Sequence, residues 1–387
     1  MIQKVDSCMP RKAVSRILLL TNHFYEWGGS ELIITELAEE FARRGLSATI
    51  FANHFNEKFA NKIESPSIHF ERVKENINLR QYDLVYCQHQ VLSFFLEQLI
   101  DMAGANGPHI FYGHLSPYEK LEFPGPWIEK SFGDLFLCNS LETMEKMETL
   151  GLDVERLLLM PNPAPDSFFE IASAEGGLKR LLVVSNHVPS ELEQSFRLLR
   201  RRGIRTTLYG ISGKYERVTP KVMEGYDAVV SIGKTVQYSL AAKRPVYVYD
   251  QFGGPGWITH ENFEQSARFN FSGRCTNRRM SAHKIVDELV SGFDRALHDV
   301  NDLSSEVERF RLSSWLDGAL LRVHSCRSPE RGEILSRGED FVQGLWREFH
   351  LFSANIQNRK DAVEITHNSL CIRYAAYLVR LVRALKP

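Results

Sequence analysis

The chain has 387 residues, of which 43% are hydrophobic and 25% are charged, a composition typical of a globular protein with room for two domains. Its formal net charge of −1 argues against nucleic acid as a partner, because nucleic-acid-binding proteins usually carry a basic excess. The sequence contains no apolar run of about 18 residues, no signal-peptide pattern and only isolated cysteines. We therefore expect a cytoplasmic protein without disulfides, structural zinc or a membrane span.

Short apolar runs alternate with amphipathic stretches through the first half of the chain. The strands that this pattern predicts are 16–20, 47–52, 68–73, 82–87, 109–112, 134–138 and 157–160. The predicted helices are 30–44, 91–102 and 141–150. Strands that alternate with helices are typical of a parallel, doubly wound sheet, so we assign the chain to the α/β class.

The alternation stops at residues 161–165, where three prolines cannot continue a helix or a central strand. With the small-residue stretch 172–177, they mark a predicted boundary between domains 1–172 and 173–300. In the second domain the strands 180–185, 206–209, 228–232 and 245–249 and the helices 191–201 and 282–297 are predicted. Residues 301–387 are predicted to form a helical C-terminal extension with a helix at 340–352.

A basic amphipathic helix is predicted at the end of this extension, over residues 371–386. Its apolar residues share one face, and Arg373, Arg380 and Arg383 lie on the other. Such a helix either lies on an anionic membrane, here the inner face, or packs on a domain with its arginines in water. We favour the packed form.

Two strand-to-helix turns contain glycine and are candidates for binding phosphate. Gly28 and Gly29 precede the helix 30–44, and Gly233, Lys234 and Thr235 follow the strand 228–232. The first N–H groups of a helix attract anions, and Lys234 would add a positive charge. The alternatives are a simple tight turn at Gly28 and a surface lysine beside a capped helix at Lys234.

The segment after the strand 245–249 is predicted to be a glycine-rich loop, 250–257, that contains Asp250, Gly253 and Gly254. Loops at the carboxyl ends of neighbouring parallel strands open on one crevice, so this loop should face the turn at Gly233. Arg274 follows in the segment 270–274, either as a phosphate ligand or as an ordinary arginine at the domain edge.

Other patterns limit the chemistry. Ala228 stands where a P-loop needs its first glycine, which argues against a nucleotide triphosphatase. The chain has no Asp-x-Asp, so we predict neither a metal ion nor another cofactor. The histidines show no metal-ligand spacing, and His23, His89 and His187 are interpreted as polar loop residues.

These segments, in this order, resemble the GT-B glycosyltransferases and are similar to their large family 4. The family has Glu-Ala-Met-Ala-x-Gly-x-Pro-Val before its penultimate strand, and we align Gln237 with the Glu and Pro245-Val246 with the Pro-Val. Met160-Pro161-Asn162 resembles the family's interdomain Pro-Asn-Gly. The resemblance covers roughly residues 16–272 and implies two Rossmann-like domains that face each other across a cleft.

The resemblance also implies a nucleoside-diphosphate sugar in the cleft, held mostly by the second domain. His114 matches the family's cleft histidine, which contacts the donor sugar, and is the predicted catalytic residue. The predicted donor-binding residues are Gly28, Gly29, Ser185, Asn186, Gly233, Lys234, Thr235, Gln237, Asp250, Gly253, Gly254 and Arg274. Ser185 and Asn186 occupy the place of the family's Gly-Arg turn.

Two departures from the family limit what can be carried over. Val229 stands where the first Glu of the family's Glu-x7-Glu pair belongs. The Arg and Lys pair that binds the donor diphosphate in the family is also not evident, so Lys234 would take its place. Retention and inversion therefore both stay open. We expect transfer of a sugar to a glycan or lipid-linked acceptor, in cell-surface polysaccharide synthesis. The alternatives are a nucleotide-sugar isomerase or epimerase of this fold, or a catalytically silent binding module.

Overall fold

The chain forms two lobes, each built on its own β-sheet, in a computed structural model that describes residues 14–102, 107–122 and 128–325. The fold class is therefore as predicted. The predicted helices at 340–352 and 371–386 lie outside the described residues, so membrane contact stays a prediction. None of the helices in the described ranges is long and apolar enough to cross a bilayer.

The first lobe is a parallel sheet with helices on both faces. Its strands are β1 (Arg16–Phe24), β2 (Ser47–Phe55), β3 (Ile68–Glu71), β4 (Leu84–Gln88), β5 (His109–His114), β6 (Leu135–Cys138) and β7 (Leu157–Leu159). They are hydrogen-bonded in the order β3-β2-β1-β4-β5-β6-β7. In β1, Ile17 and Leu19 enter one buried cluster and Leu18 and Leu20 the other, which explains the unbroken apolar run of this strand.

The α-helices of this lobe are α1 (Gly29–Arg43), α2 (Glu57–Ala60), α3 (Leu96–Asp101), α4 (Ile128–Phe132) and α5 (Leu141–Thr149). The predicted helix 91–102 differs, because its first part is a 3-10 helix, Val91–Phe95. The residue before it, Gln90, is in the left-handed conformation with a φ of 60°.

The second lobe has the strands β8 (Arg180–Val184), β9 (Arg205–Tyr209), β10 (Ala228–Ser231), β11 (Val246–Asp250) and β12 (Gly253–Trp257). Their order is β12-β11-β10-β8-β9. The predicted loop 250–257 is wrong over most of its length, because β12 pairs antiparallel with β11. Glycine permits this pairing: a Cβ on Gly254 would lie 2.0 Å from the carbonyl oxygen of Val248.

The helices that follow the first sheet are α6 (Ser190–Arg201), α7 (Pro220–Glu224), α8 (Lys234–Ala241), α9 (Phe263–Arg268), α10 (Ala282–Ser291), α11 (Phe293–Asp302), α12 (Ser304–Val307) and α13 (Leu312–Ser325). The predicted helix 282–297 is two helices that meet at Gly292, where a Cβ would lie 2.7 Å from the Trp257 ring. Further 3-10 helices lie at Lys74–Asn76, Leu79–Gln81, Lys120–Glu122, Val154–Arg156, Asp166–Phe168, Gly273–Cys275 and Glu308–Phe310.

The chain crosses between the lobes twice at neighbouring places. After β7 it enters the second lobe, where Phe168 and Ile171 already pack in the core although the predicted first domain runs to residue 172. It returns through α13, whose Leu312 and Leu316 pack in the core of the first lobe. The two crossings are hydrogen-bonded to each other, since the N–H of Leu312 donates to the carbonyl of Ala164 at 2.9 Å.

Candidate functional site

A cavity of about 440 Å³ lies between the lobes. The turn between β1 and α1 forms one wall, and the carboxyl ends of β8, β10 and β11 form the other. Eight of the predicted donor-binding residues line it, namely Gly28, Gly29, Ser185, Asn186, Gly233, Lys234, Thr235 and Asp250. These residues converge because parallel strands place the turns that follow them at one edge of the sheet. The volume is typical of a small-molecule site.

The turn at the start of α1 holds a buried carboxyl group that we did not predict, next to residues that line the cavity. Glu31 is 1% exposed, and its Oε2 accepts a hydrogen bond from the Ser30 hydroxyl at 3.1 Å. The same oxygen lies over Gly28, whose added Cβ would be only 2.5 Å away. Burial raises the pKa of Glu31 to about 7. The sequence signal for this carboxyl group was the position of Glu31 in the first turn of the predicted helix.

Two histidines extend this group of titratable side chains. The His23 Nε2 lies 3.7 Å from Glu31 Oε1, and the His23 ring stacks on His89 at 4.6 Å between centroids. The His89 Nε2 lies 3.2 Å from an oxygen of Glu122, which lines the cavity, as does Ser30. The side chain of His23 is 22% exposed, so it is the accessible member of the group. Both histidines were interpreted as loop residues.

His114, the predicted catalytic residue, is buried and does not line the cavity. Its Nδ1 bonds the carbonyl of Glu122 at 2.8 Å, and its Nε2 lies 3.1 Å from Glu129 Oε2. Burial alone would lower the pKa of His114, but the Glu129 carboxylate outweighs it and the pKa is raised. The expected direct contact with a donor sugar does not fit this position, although the adjacent Leu115 and Glu122 line the cavity.

The turn at the start of α8 differs from the α1 turn because its first helical turn contains no acidic residue. Gly233 has a φ of 56°, which favours glycine, and within the described residues no side chain caps the helix. The first N–H groups of α8 therefore lie at the cavity without a side-chain partner. Thr235, in the first turn, also lines the cavity.

The side chain of Lys234 is placed differently from both sequence interpretations. It is 7% exposed rather than on the surface, and its Nζ lies 2.7 Å from Glu36 Oε2 of the first lobe. It also donates to the carbonyl of Pro163 at 2.8 Å. The ammonium is thus already paired. A Glu on the apolar face of α1 was the only sequence signal for this contact.

One further cation lines the cavity, and it is paired in the same way. Arg217 donates to both oxygens of Glu39, at 2.6 and 2.7 Å. Among the described residues that line the cavity, Arg217 and Lys234 are the only Arg or Lys. Both positive charges are therefore bound by carboxylates of α1.

Gln237 lies outside the cavity wall. It is 1% exposed, and its Nε2 donates to the carbonyl of Pro161 at 3.1 Å. Our alignment of Gln237 with the family's Glu is wrong by one residue. When the Pro of the family segment is placed at Pro245, its Glu falls on Tyr238. Tyr238 lines the cavity and donates its hydroxyl to Glu36.

The remaining predicted residues of the second lobe divide into two groups. Asp250 lines the cavity, and its carboxylate is held by the Ser272 hydroxyl at 2.9 Å. Gly253 and Gly254 belong to β12 and do not line the cavity, because this segment pairs with β11. Arg274 does not line it either. Its guanidinium binds Glu142 of the first lobe at 2.7 Å, so it joins the lobes.

Known structures with a similar fold were found, although the sequence matches no protein-family model and no curated protein. HepE of Anabaena in complex with UDP is 12% identical, with a TM-score of 0.55 over 80% of this chain and 100% of HepE. The chain has the GT-B fold. LpCGTa in complex with UDP is 11% identical, with a TM-score of 0.50 over 81% of this chain and 100% of LpCGTa. These similarities assign no family within the GT-B fold, so membership of family 4 stays a prediction.

Proposed function

We propose that the protein is a glycosyltransferase that moves a sugar from a nucleoside-diphosphate sugar to a glycan or lipid-linked acceptor in cell-surface polysaccharide synthesis. The observation that carries the proposal is the cavity between two Rossmann-like lobes, at which both α1 and α8 begin. Since HepE and LpCGTa were solved with UDP, a UDP-sugar is the first donor to test.

The diphosphate of the donor is assigned to the start of α8. The open N–H groups after Gly233 and the hydroxyl of Thr235 are suited to phosphate oxygens, and the helix dipole adds to the attraction. Ser185 and Asn186, at the end of β8, are assigned to the rest of the nucleotide. Helix N–H groups stabilise a leaving diphosphate directly, so we propose a transfer that needs no metal ion.

The proton of the acceptor hydroxyl is assigned to His23. This imidazole is partly exposed, its Nε2 lies 3.3 Å from the hydroxyl of Ser30, which lines the cavity, and Glu31 lies close enough to orient it. His114 is buried between Glu122 and Glu129 and is assigned a structural role. Which face of the sugar reacts, and hence retention or inversion, is left to product analysis.

The direct test is binding and turnover with a panel of nucleotide sugars that differ in base and sugar. We expect UDP to bind and at least one donor to be hydrolysed slowly in the absence of an acceptor. Calorimetry measures the first and release of the nucleoside diphosphate the second. If no nucleotide or nucleotide sugar in the panel binds, the proposal is wrong, and the binding-module alternative gains support.

A second candidate function is favoured by the buried carboxyls. A nucleotide-sugar isomerase or epimerase needs acid and base groups beside the sugar, and here Glu122 lines the cavity while Glu31 is bonded to Ser30, which also lines it. The two functions differ in their products. NMR of a donor incubated without acceptor would show a new nucleotide sugar for an isomerase, and only free sugar and nucleoside diphosphate for a transferase.

A further inference from the structure

Glu36 of α1 is a carboxylate of the first lobe that binds three side chains of the second. It is 2% exposed, its Oε2 lies 2.7 Å from Lys234 Nζ, and its Oε1 lies 3.5 Å from Arg217 Nη2. The hydroxyl of Tyr238 also donates to Oε1. One negative charge therefore serves two cations.

Lys234 stands where a phosphate would compete with Glu36. It is the first residue of α8 and lines the cavity at the helix end to which the donor diphosphate is assigned. Burial lowers the pKa of Lys234, and Glu36 only partly opposes this effect. A second anion beside the ammonium would therefore stabilise its charge.

The departure of Lys234 would not leave Glu36 unpaired. Arg217 and the Tyr238 hydroxyl contact the other oxygen of the same carboxylate. Removing one partner from a buried ion pair is costly chiefly when the remaining charge has no other partner. Here two partners remain, so the ammonium can change partners.

We propose that Glu36 is a positioning residue that holds Lys234 until the diphosphate of a donor takes the ammonium from it. The inference rests on the proposed function, since it names the phosphate groups of the donor as the competing ligand. It predicts that the carboxylate of Glu36 weakens phosphate binding, because the Lys234–Glu36 pair must break first.

The test is the affinity of Glu36→Gln for UDP, inorganic pyrophosphate and uridine, measured by calorimetry. We expect UDP and pyrophosphate to bind about fivefold more tightly or better, because the Lys234–Glu36 ion pair no longer has to be broken. Uridine has no phosphate, so its affinity should stay unchanged. Glu40→Gln is the matched control, since Glu40 lies in the same helix and pairs with Arg43 and Arg44 of its own lobe.

A second variant keeps the test decisive if Glu36→Gln does not fold. The double variant Glu36→Gln with Lys234→Met has neither charge of the pair, and we expect it to bind UDP about threefold more weakly than wild type or worse. Equal binding by the double variant overturns the inference, as does unchanged or weaker UDP binding by a folded Glu36→Gln protein. A gain that also occurs with uridine or with Glu40→Gln overturns it too.

The failure of this inference can be told from the failure of the proposed function. Wild-type protein that binds UDP, with no gain in Glu36→Gln, overturns the inference alone. If neither the wild type nor Glu36→Gln binds UDP, pyrophosphate or any donor of the panel, both are overturned.

Discussion

Two strand–glycine–helix turns face the same cavity, and they differ in what occupies them. At the start of α1 the chain places its own carboxyl, Glu31, over Gly28. Within the described residues no side chain caps either helix, but the first turn of α8 contains no acidic residue. The same local pattern therefore holds a buried carboxyl group in one lobe and, as we propose, a diphosphate site in the other. Variants of one turn at a time show whether the two turns differ in this way.

The largest expected effect concerns Glu31 and pH. Because burial raises its pKa from 4.5 to about 7, the folded chain binds the proton more tightly than the unfolded chain does. The resulting stability is fully present below pH 4.5 and is lost as the pH rises through about 7. Glu31→Gln should therefore be more stable than wild type at pH 8, by up to about 3 kcal/mol, and equal to it near pH 4.

Urea unfolding of both proteins across this pH range measures the difference. The exposed Glu75→Gln should follow wild type at every pH. A difference between Glu31→Gln and wild type that does not change with pH would contradict a raised pKa and remove the contrast between the turns.

Slightly smaller is the effect expected for His23 on turnover. His23→Ala should lower kcat about 100-fold, because a general base contributes at least that factor, while the affinity for UDP stays unchanged. His114→Ala serves as the comparison, since loss of a buried imidazole between Glu122 and Glu129 should lower the unfolding temperature instead. Steady-state kinetics and thermal unfolding separate the two. Full activity of His23→Ala would show that His23 does not accept the proton of the acceptor hydroxyl.

The two glycines should respond differently to alanine. Gly233 has a φ of 56° and a ψ of −138°, so Gly233→Ala should cost about 2 kcal/mol of stability and weaken UDP binding. Gly28 has an extended φ of −104°, and the atoms nearest its added Cβ belong to the Glu31 side chain rather than to the backbone. Gly28→Ala should therefore cost less than about 1 kcal/mol. Urea unfolding measures both, and equal losses would contradict the assignment.

The smallest effect is expected at the hydroxyls of the two turns. Thr235→Val should weaken UDP binding about fivefold, because it removes one hydrogen-bond donor from the anion site. Ser30→Ala, in the α1 turn, should leave UDP binding unchanged because its hydroxyl is bound to Glu31. Calorimetry measures the UDP affinity of both variants. If Ser30→Ala weakened UDP binding and Thr235→Val did not, the diphosphate would be assigned to the start of α1 instead.

The sequence predicted the strands and turns that depend on residues close together in the chain. It did not predict the features that depend on contacts between distant residues. Apolar runs such as β1, β4, β10 and β11 revealed both sheets because these strands are buried on their two faces. β12 was missed because Gly253–Trp257 has no alternating apolar pattern, and only its pairing with β11 makes it a strand. The turns that line the cavity were found because each one follows a parallel strand.

Contacts between the lobes had no comparable local signal. Lys234 and Glu36 belong to different lobes, so the charge that we expected to be open to a ligand was already paired. The stack of His23 on His89 joins the ends of two strands that are neighbours only in the folded sheet. Burial of His114 also follows from packing rather than from its motif.

The paired crossings between the lobes have a mechanical consequence. The two segments at Ala164 and Leu312 are hydrogen-bonded to each other, so we expect any rotation of one lobe against the other to take place about this pivot. The ammonium of Lys234 is bonded to Pro163 within the pivot itself. An ion that draws this lysine away would thus release one tie at the axis of rotation, where a small local shift is amplified at the outer rim of both lobes.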